Sequence, residues 1–332
     1  MTDGHALATR GLVKRYGSRT ALAGLDLSVP AGVVYGFLGP NGAGKTTTMR
    51  LLTGLIHPDA GTIELLGRPF GRSDRHRLFD VGALIEQPSF YPYLSARENL
   101  RSLAATGART SRARIEELLE MVGLRDRARD KVQTYSLGMK QRLGIAAALL
   151  SDPQLLLLDE PSNGLDPAGI VAMRETLKGL AAAGKTVFVS SHILGEVQQL
   201  ADVLGIVAAG RLVREGPIEQ ILEGEGRIRV RVARSEIDAA RVILDGLAPG
   251  TSAATTDDDG WLSIALAPER AADVNRALAS AGIYASGLET GNDLESLFLE
   301  LTGGDDTASH EGTFFGTAGA GSSPRGRSGG DV

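Results

Sequence analysis

The segment GPNGAGKTT, residues 39–47, has glycines, a lysine and threonines in the spacing G-x-x-x-x-G-K-[ST]. The glycines let backbone N–H groups turn toward a phosphate, because a Cβ atom would obstruct that approach. Lys45 can then reach the β- and γ-phosphates of a nucleotide, and the hydroxyl of Thr46 can bind Mg²⁺. We therefore predict a phosphate site formed by Gly39, Pro40, Asn41, Gly42, Ala43, Gly44, Lys45, Thr46 and Thr47.

Two carboxylates, Asp159 and Glu160, follow the apolar run QLLLL. A Mg²⁺ site beside such a loop needs a carboxylate at the end of a neighbouring strand, and Asp159 is placed to hold the ion directly or through water. Glu160 is placed to orient and polarise an attacking water. Alone, the pair would fit a solvated strand end equally well. Together with the phosphate loop, the pair predicts separate roles, in which Asp159 holds the metal and Glu160 orients the water.

The stretch YSLGMKQRLGIAAALL, residues 135–150, places a serine and a glycine before a mostly apolar helical run. Unpaired N–H groups and the positive end of the dipole at a helix start favour an anion. Ser136 also fits an ordinary helix N-cap, for which serine is a preferred residue. The chain thus has a second candidate phosphate site, about ninety residues after the first.

Taken in order, GPNGAGKTT, YSLGMKQR, LLLLDEP, NGLD and SSHIL resemble the nucleotide-binding subunit of an ATP-binding cassette (ABC) transporter. The resemblance covers residues 5 to about 222. It implies an α/β P-loop cassette with a mainly parallel core sheet, an antiparallel β subdomain and a helical subdomain at about residues 92–148. It also implies ATP and Mg²⁺ as cofactors and ATP hydrolysis as the activity.

In this family a signature motif closes over the γ-phosphate held by a second copy, so two subunits complete each site. The residues here that match the motif are Ser136, Leu137, Gly138, Met139 and Lys140. Leu137 replaces the first glycine of the commoner LSGGQ form, and Lys140 stands for the glutamine after Met139. Because the contacts expected there come from the backbone, we expect Leu137 to be tolerated.

Three further roles are implied by the resemblance. Tyr16, in KRYGSRTAL, resembles the aromatic residue that stacks on adenine, although a tyrosine that packs a strand also fits. His192, in SSHIL, resembles the switch histidine that contacts the γ-phosphate and helps to hold the water. Asp166, in NGLD, resembles the residue that links the two half-sites, and it also fits the N-cap of the next helix.

A bridging glutamine of the family has two candidates in LIEQPSFYPYLSARENL. Counting back from FYPYL places Glu86 there, as in the bacitracin and lantibiotic exporters that this segment resembles, and Gln87 is the alternative. A carboxylate there would reach the metal or pair with an arginine, whereas an amide can also donate a hydrogen bond.

The single cassette and the small C-terminal appendage resemble the multidrug, antibiotic and lantibiotic export subfamily. This implies a multi-spanning membrane permease and a second cassette, identical or paralogous, as partners, and a position at the cytoplasmic face of the cell membrane. The segment FYPYLSARENL and the helices after it would be the docking surface.

The alternative is a soluble ABC ATPase acting on nucleic acid or the ribosome. The distance from the P-loop to YSLGMKQR leaves no room for the coiled coil of chromosome and repair members, and translation factors have two cassettes. The basic runs ARTSRAR and RDRARDK fit a solvated helix face, so no nucleic acid partner is expected. A P-loop kinase or GTPase would not need YSLGMKQR or SSHIL.

Several elements must position these residues. Residues 6–35 alternate as in a small antiparallel sheet, and VVYGFLG, QLLLLDEP and TVFVSSH are typical of strands buried in a parallel sheet. TTTMRLLTGL and AGIVAMRETLKGLAAAG predict helices, residues 95–150 are mostly helical, and VLGIVAAGRLVREG predicts two closing strands.

The composition changes near residues 222–227, so residues 1–222 are assigned to the cassette and 227–302 to a small α+β domain, of ferredoxin-like type. Its predicted strands are IRVRV, WLSIALA and IYASGLE, and its predicted helices are SEIDAARVILDGL, ERAADVNRALASAG and DLESLFLELTGG. Residues 303–332 form a Gly/Ser-rich tail that we expect to be disordered.

The composition limits the possible chemistry. The 332 residues are 42% hydrophobic and 23% charged, as in a globular protein with a substantial core. The net charge of −5 gives no overall attraction to nucleic acid. The absence of cysteine excludes disulfides, thiolate metal sites and a cysteine nucleophile, and fits a reducing compartment. The N-terminus lacks the apolar region of a signal peptide, and no run is long enough to span a bilayer.

Overall fold

The computed structural model describes residues 4–107, 110–223, 226–248, 255–256 and 261–292. The strands in these residues are β1 (His5–Tyr16), β2 (Arg19–Pro30), β3 (Val34–Leu38), β4 (Ala60–Leu65), β5 (Arg68–Pro69), β6 (Val81–Leu84), β7 (Leu155–Asp159), β8 (Thr186–Ser191), β9 (Val203–Ala208), β10 (Arg211–Pro217), β11 (Gly226–Arg231), β12 (Thr255–Thr256), β13 (Trp261–Ala265) and β14 (Gly287–Asn292). The α-helices are α1 (Lys45–Leu52), α2 (Ala96–Ala105), α3 (Arg112–Met121), α4 (Leu137–Ala148), α5 (Pro167–Ala182), α6 (Leu194–Leu200), α7 (Ile218–Glu223), α8 (Ile237–Leu247) and α9 (Ala271–Ser280).

The central sheet has the strand order β10-β9-β3-β8-β7-β6. All its pairings are parallel except that of β9 with the edge strand β10. Every residue of β3, β7 and β8 is buried, because both faces of the sheet are covered. Leu156 and Leu158 of β7 face one apolar core, and Leu155 and Leu157 face the other. The continuous apolar runs in the sequence are explained by this two-sided burial.

One face of the central sheet is covered by helices. Residues of α2, α3, α4 and α5 share an apolar core with it, including Leu100, Leu118, Leu143 and Leu177. α2 begins with a capping box in which Ser95 and Glu98 bond each other's backbone N–H groups. The other face packs on α1 and on an antiparallel sheet of order β2-β1-β4-β5. The strands that carry the candidate site therefore form the middle of three layers.

The parallel strands bring the predicted motifs to one edge. The phosphate loop follows β3, the acidic pair ends β7, and His192 follows β8. Strand β8 pairs with both β3 and β7, with Leu38 opposite Ser191 and Asp159 opposite Ser190. Because these strands run in the same direction, the loops at their carboxyl ends are neighbours.

The C-terminal unit is a separate α+β fold with its own apolar core. Its sheet has the order β12-β13-β11-β14 with antiparallel pairing, and α8 and α9 follow β11 and β13. This βαββαβ arrangement is the ferredoxin-like topology.

The predicted strand IYASGLE is displaced. Ile283 and the three residues after it precede β14, which begins only at Gly287. Ile283 is buried in the core, and the backbone N–H of Ser286 donates to the carbonyl of Arg231 at 2.7 Å. A loop anchored in the core thus has the same apolar signal as a strand start. The predicted helix DLESLFLELTGG and the tail of residues 303–332 lie outside the described residues.

Within the described part of the chain, no helix combines the length and the apolar character that crossing a bilayer requires.

Candidate nucleotide site

The phosphate loop begins directly at the end of β3. The N–H of Gly39 donates to the carbonyl of Ser191 at 3.2 Å, which fixes the loop beside β8. Gly44 has φ 106, and a Cβ there would lie 2.8 Å from the carbonyl oxygen of Ala21. Only glycine fits this position without strain. The loop is therefore held close to the backbone of β2 and β8.

Helix α1 begins at Lys45, immediately after the loop, and its N-cap Gly44 supplies no side-chain hydrogen bond. The N–H groups of the first turn therefore remain suited to an anion. Lys45 is buried, and its Nζ donates to the carbonyls of Gly39 at 2.7 Å and Pro40 at 3.2 Å. The ammonium is thus held at the mouth of the loop, where a phosphate would lie.

The predicted metal residues are in contact with one another. Oγ1 of Thr46 donates to Oδ2 of Asp159 at 2.8 Å, and the hydroxyl of Ser190 donates to Oδ1 of the same carboxylate. A hydroxyl and a carboxylate side by side are oxygen ligands of the kind that Mg²⁺ prefers. No cluster of three or more acidic, histidine or cysteine ligands occurs among the described residues. Mg²⁺ usually keeps waters and substrate phosphates as its other ligands.

Both carboxylate oxygens of Glu160 lie close to charged or polar side chains of the site. Oε2 lies 2.8 Å from Nδ1 of His192, and Oε1 lies 3.5 Å from Nζ of Lys45. The backbone of Glu160 is in the left-handed region, with φ 47. Its N–H donates to the carbonyl and hydroxyl oxygens of Ser190, each at 3.2 Å. The structure thus brings together the predicted water-polarising carboxylate, the switch histidine and the phosphate-binding lysine.

A cleft of about 400 Å³ lies over the phosphate loop. Its lining consists of Tyr16, Arg19, Ala21, Asn41, Gly42, Gly44, Lys45, Thr46, Thr47 and Glu160. Tyr16 ends β1 and is 46% exposed, so its ring is not packed into the core. An aromatic face open to the cleft is what stacking on a base requires. Arg19, which pairs with Tyr16 across the turn between β1 and β2, was not predicted from the sequence. The short turn after Tyr16 could have predicted this pairing, because a tight turn places residues 16 and 19 opposite each other.

Glu86 and Gln87 lie outside the lining of this cleft. Both side chains are exposed, and Glu86 forms an ion pair with Arg50 of α1. The hydrogen bond to Glu86 raises the pKa of Arg50, with a smaller contribution from Tyr16. Glu86 also has a left-handed backbone, with φ 62. The arginine pairing expected of a carboxylate at this position is therefore present, and Arg50 is a partner that the sequence analysis missed.

The second candidate phosphate site lies at the start of α4. Ser136 is its N-cap, and its Oγ accepts from the N–H of Met139 at 3.2 Å. Ser136 and Leu137 are exposed, whereas Gly138 is buried. A Cβ at Gly138 would lie 2.8 Å from the carbonyl oxygen of Gly164, so this glycine allows close packing. Met139 and Lys140 are half-buried, and none of residues 136–140 lines the cleft of their own chain.

Asp166 occupies the N-cap of α5, and its Oδ1 accepts from the N–H of Gly169 at 3.1 Å. The helix-capping role is therefore present in the structure, with Pro167 as the first helical residue. The other role predicted for Asp166, a link between the two half-sites of a dimer, is not tested by this contact and stays a prediction.

Known proteins resemble this chain in sequence and in fold. The family model described as "ABC transporter" matches residues 22–163. The bacitracin transport ATP-binding protein BcrA of Enterococcus faecalis is 40% identical over 307 residues, which cover 92% of this chain and 98% of that protein. The daunorubicin resistance ATP-binding protein DrrA3 of Streptomyces coeruleorubidus is 39% identical over 306 residues, 90% of this chain and 96% of that protein. The lantibiotic transport ATP-binding protein SrtF of Streptococcus pyogenes is 44% identical over 209 residues, 63% of this chain and 90% of that protein.

Solved structures of ABC cassettes have a similar fold. An ATP-binding subunit of an ABC transporter has a TM-score of 0.59 at 30% identity, over 65% of this chain and 91% of that one. A dimeric ATP-binding cassette in a post-hydrolysis state, bound to ADP and Pi, has a TM-score of 0.59 at 25% identity, over 64% of this chain and 98% of that one. With its P-loop, acidic strand end and histidine assembled at one sheet edge, this chain belongs to the ABC transporter family as an ATP-binding subunit that hydrolyses ATP.

Proposed function

We propose that this chain powers a separate membrane permease that exports antibiotic-like or lipid-like compounds. ATP would join two cassettes, and hydrolysis would let them part. The observation that carries this proposal is the separation of two anion-suited elements in one chain. The P-loop lines one cleft, whereas the exposed start of α4 at Ser136 lies outside the lining of that cleft.

The dimer follows from the physics of these two elements. A helix start favours an anion by about 0.3 to 2 kcal/mol, and a serine hydroxyl adds a charge-assisted hydrogen bond. A γ-phosphate held by Lys45 in one chain would therefore be stabilised by Ser136 and Gly138 of a second. The solved cassette bound to ADP and Pi is a dimer, which supports the association of two cassettes. A paralogous cassette in place of a second copy would make the same contacts.

Within each site the residues have different roles. Lys45 and the N–H groups of the loop bind the phosphates, and Tyr16 stacks on the base. Thr46 and Asp159 would hold Mg²⁺, which when bound neutralises phosphate charge. Glu160 orients and polarises the attacking water, and His192 holds the carboxylate of Glu160 in place.

The export substrate is inferred from relatives that carry transport or resistance names for bacitracin, daunorubicin and lantibiotics. The choice of compound would rest with the permease. The chain would then work at the cytoplasmic face of the cell membrane, held there by the permease. The relatives do not favour the alternative of a soluble ATPase on nucleic acid or the ribosome.

Two measurements test this proposal. ATPase activity per molecule should rise with protein concentration, because each complete site needs two chains. A rate per molecule that does not depend on concentration, from protein that stays monomeric with ATP, would contradict it. Affinity purification from native membranes should recover a polytopic membrane protein, and recovery of ribosomes instead would support the soluble alternative.

A further inference from the structure

Glu160 has a backbone conformation that the surrounding structure must maintain. Its φ of 47 lies in the left-handed region, which a residue with a side chain rarely adopts. Such a conformation persists only where neighbouring groups hold it in place. It also fixes the direction in which the carboxylate leaves the end of β7. The groups that hold this backbone therefore help to determine the aim of the carboxylate.

Hydrogen bonds hold both sides of this residue. The N–H of Glu160 donates to Ser190 on the neighbouring strand. Its carbonyl accepts from the N–H of Asn163 at 3.2 Å and from Nε2 of Gln141 at 3.4 Å. Ser190 and Asn163 belong to the β8 strand and to the loop after β7. Gln141 reaches this carbonyl from α4 of the helical subdomain.

Gln141 lies on the helix whose start carries the signature residues. It is 3% exposed and follows the N-cap Ser136 by five residues. The first turn of α4 also packs directly on the segment after Glu160, because a Cβ at Gly138 would come within 2.8 Å of the carbonyl of Gly164. The start of α4 and the end of β7 are thus in contact at two points. A displacement of α4 relative to the core would change both contacts.

We propose that Gln141 is a positioning residue that couples the seating of α4 to the aim of the Glu160 carboxylate. This inference rests on the proposed function, in which the start of α4 binds the phosphate held by a second chain. Engagement of Ser136 with the partner's nucleotide would then fix Glu160 in the chain's own site. In each chain, the start of α4, which would contact the partner's nucleotide, would thus be coupled to the Glu160 carboxylate beside the chain's own P-loop.

A simpler role for Gln141 would be to fill space and satisfy a buried acceptor. The carbonyl of Glu160 already accepts from Asn163, so the amide of Gln141 is not needed to satisfy it. A packing role predicts that replacement weakens folding and dimerisation together with activity. A positioning role predicts a loss confined to the rate of hydrolysis. The two roles can therefore be separated by measurement.

The test uses Gln141→Met in the full-length chain, because methionine keeps the length and helix preference of glutamine but cannot donate. We expect kcat for ATP hydrolysis to fall about tenfold, since small misplacements of catalytic groups have large effects on rate. The Kd for ATP, measured by calorimetry, and ATP-dependent dimerisation, measured by gel filtration, should be unchanged. In single-turnover assays, adding Gln141→Met to Glu160→Gln should cause no further loss. Gln220→Met, at an exposed glutamine of α7, is the matched control.

A wild-type kcat in Gln141→Met would overturn the inference. Loss of dimerisation along with activity would also overturn it, since Gln141 would then be a packing residue. If the methionine variant does not fold, Gln141→Leu makes the same predictions, because leucine also lacks the donating amide and adds no charge at this buried position. If the unsubstituted chain stays monomeric with a saturating ATP analogue that cannot be hydrolysed, the proposed function itself is wrong. A normal dimer of the unsubstituted chain with a fully active Gln141→Met variant rejects only the role of Gln141.

Discussion

His192 and Glu160 meet at the carboxyl ends of neighbouring parallel strands, with Nδ1 of His192 2.8 Å from Oε2 of Glu160. The other carboxylate oxygen lies 3.5 Å from Nζ of Lys45. Lys45, at the start of α1, precedes Glu160 by more than a hundred residues of sequence, and His192 follows Glu160 by 32 residues. The sheet order alone brings them together. The carboxylate is therefore fixed by a phosphate-binding residue on one side and by the histidine on the other.

Replacing Glu160 by glutamine should separate ATP binding from hydrolysis. The amide keeps the shape and can still contact His192, but it cannot act as a base toward water. We expect the Kd for ATP to stay within a few-fold of that of the unsubstituted chain and turnover to be lost. The ATP-bound dimer should accumulate and be seen by gel filtration with ATP and Mg²⁺. A variant that stays monomeric at saturating ATP would show that the role given to Glu160 is wrong.

Lys45→Ala should weaken nucleotide binding itself. The ammonium of Lys45 is buried at the mouth of the loop and bonded to the carbonyls of Gly39 and Pro40, so it is already placed for a phosphate. Hydrogen bonds to charged groups contribute about 1.5 to 3 kcal/mol, which corresponds to roughly a tenfold to hundredfold rise in Kd. Calorimetric titration with ATP measures this. Lys178→Ala, at an exposed lysine on α5, serves as the control, and equal affinities for the two variants would count against the phosphate assignment.

The Arg50–Glu86 pair offers a test of which residue takes the bridging position. Both side chains are more than one-third exposed, so breaking the pair should change the free energy of unfolding by less than about 1 kcal/mol. If Glu86 acts in the site, Glu86→Ala should lower the ATPase rate and Gln87→Ala should not. Since Arg50 would act through Glu86, Arg50→Ala combined with Glu86→Ala should be no slower than Glu86→Ala alone. Additive losses of rate would show that Arg50 does not act by holding Glu86.

The chemistry-bearing motifs were the most predictable part of this molecule. The sequence near each motif was enough to predict the elements that flank it. Residues 39–47 lie between a predicted strand and a predicted helix, and an apolar strand precedes Asp159. The parallel pairing of β3, β7 and β8 then placed them at one edge. Buried strands and a P-loop have short-range signals, which explains why these elements were found where expected.

Contacts between distant segments could not be derived from the sequence. The bond from Gln141 to the carbonyl of Glu160 and the pairing of Arg50 with Glu86 depend on how helices dock on the sheet. Nothing local to Gln141 distinguishes it from another polar residue early in a helix. The early start assigned to the strand at Ile283 has a similar cause, because burial of a loop residue imitates the apolar pattern of a strand.

The buried phenol of Tyr35 predicts a loss of stability at alkaline pH. Its hydroxyl donates to Oε1 of Glu215 at 2.5 Å, and Glu215 also accepts from the N–H of Ser28. This contact links β3 and β10 of the central sheet to β2 of the antiparallel layer. Burial raises the pKa of Tyr35 well above its usual value, and the carboxylate of Glu215 raises it further. The folded state therefore binds this proton more tightly than the unfolded chain does.

The sign of the effect follows from this difference. The stabilisation is fully present below the unfolded pKa of about 10 and is lost as the pH rises through the higher folded pKa. Tyr35→Phe should lower the free energy of unfolding at pH 8 by about 1 kcal/mol, through loss of the hydrogen bond to Glu215. It should also reduce the fall in stability between about pH 9.5 and 11, since residue 35 then has no phenol that ionises more readily in the unfolded state than in the folded one. Urea denaturation across this range measures both effects, with Tyr284→Phe, at a tyrosine 77% exposed, as the control. An equally steep alkaline fall in Tyr35→Phe and the unsubstituted chain would show that ionisation of Tyr35 is not coupled to folding.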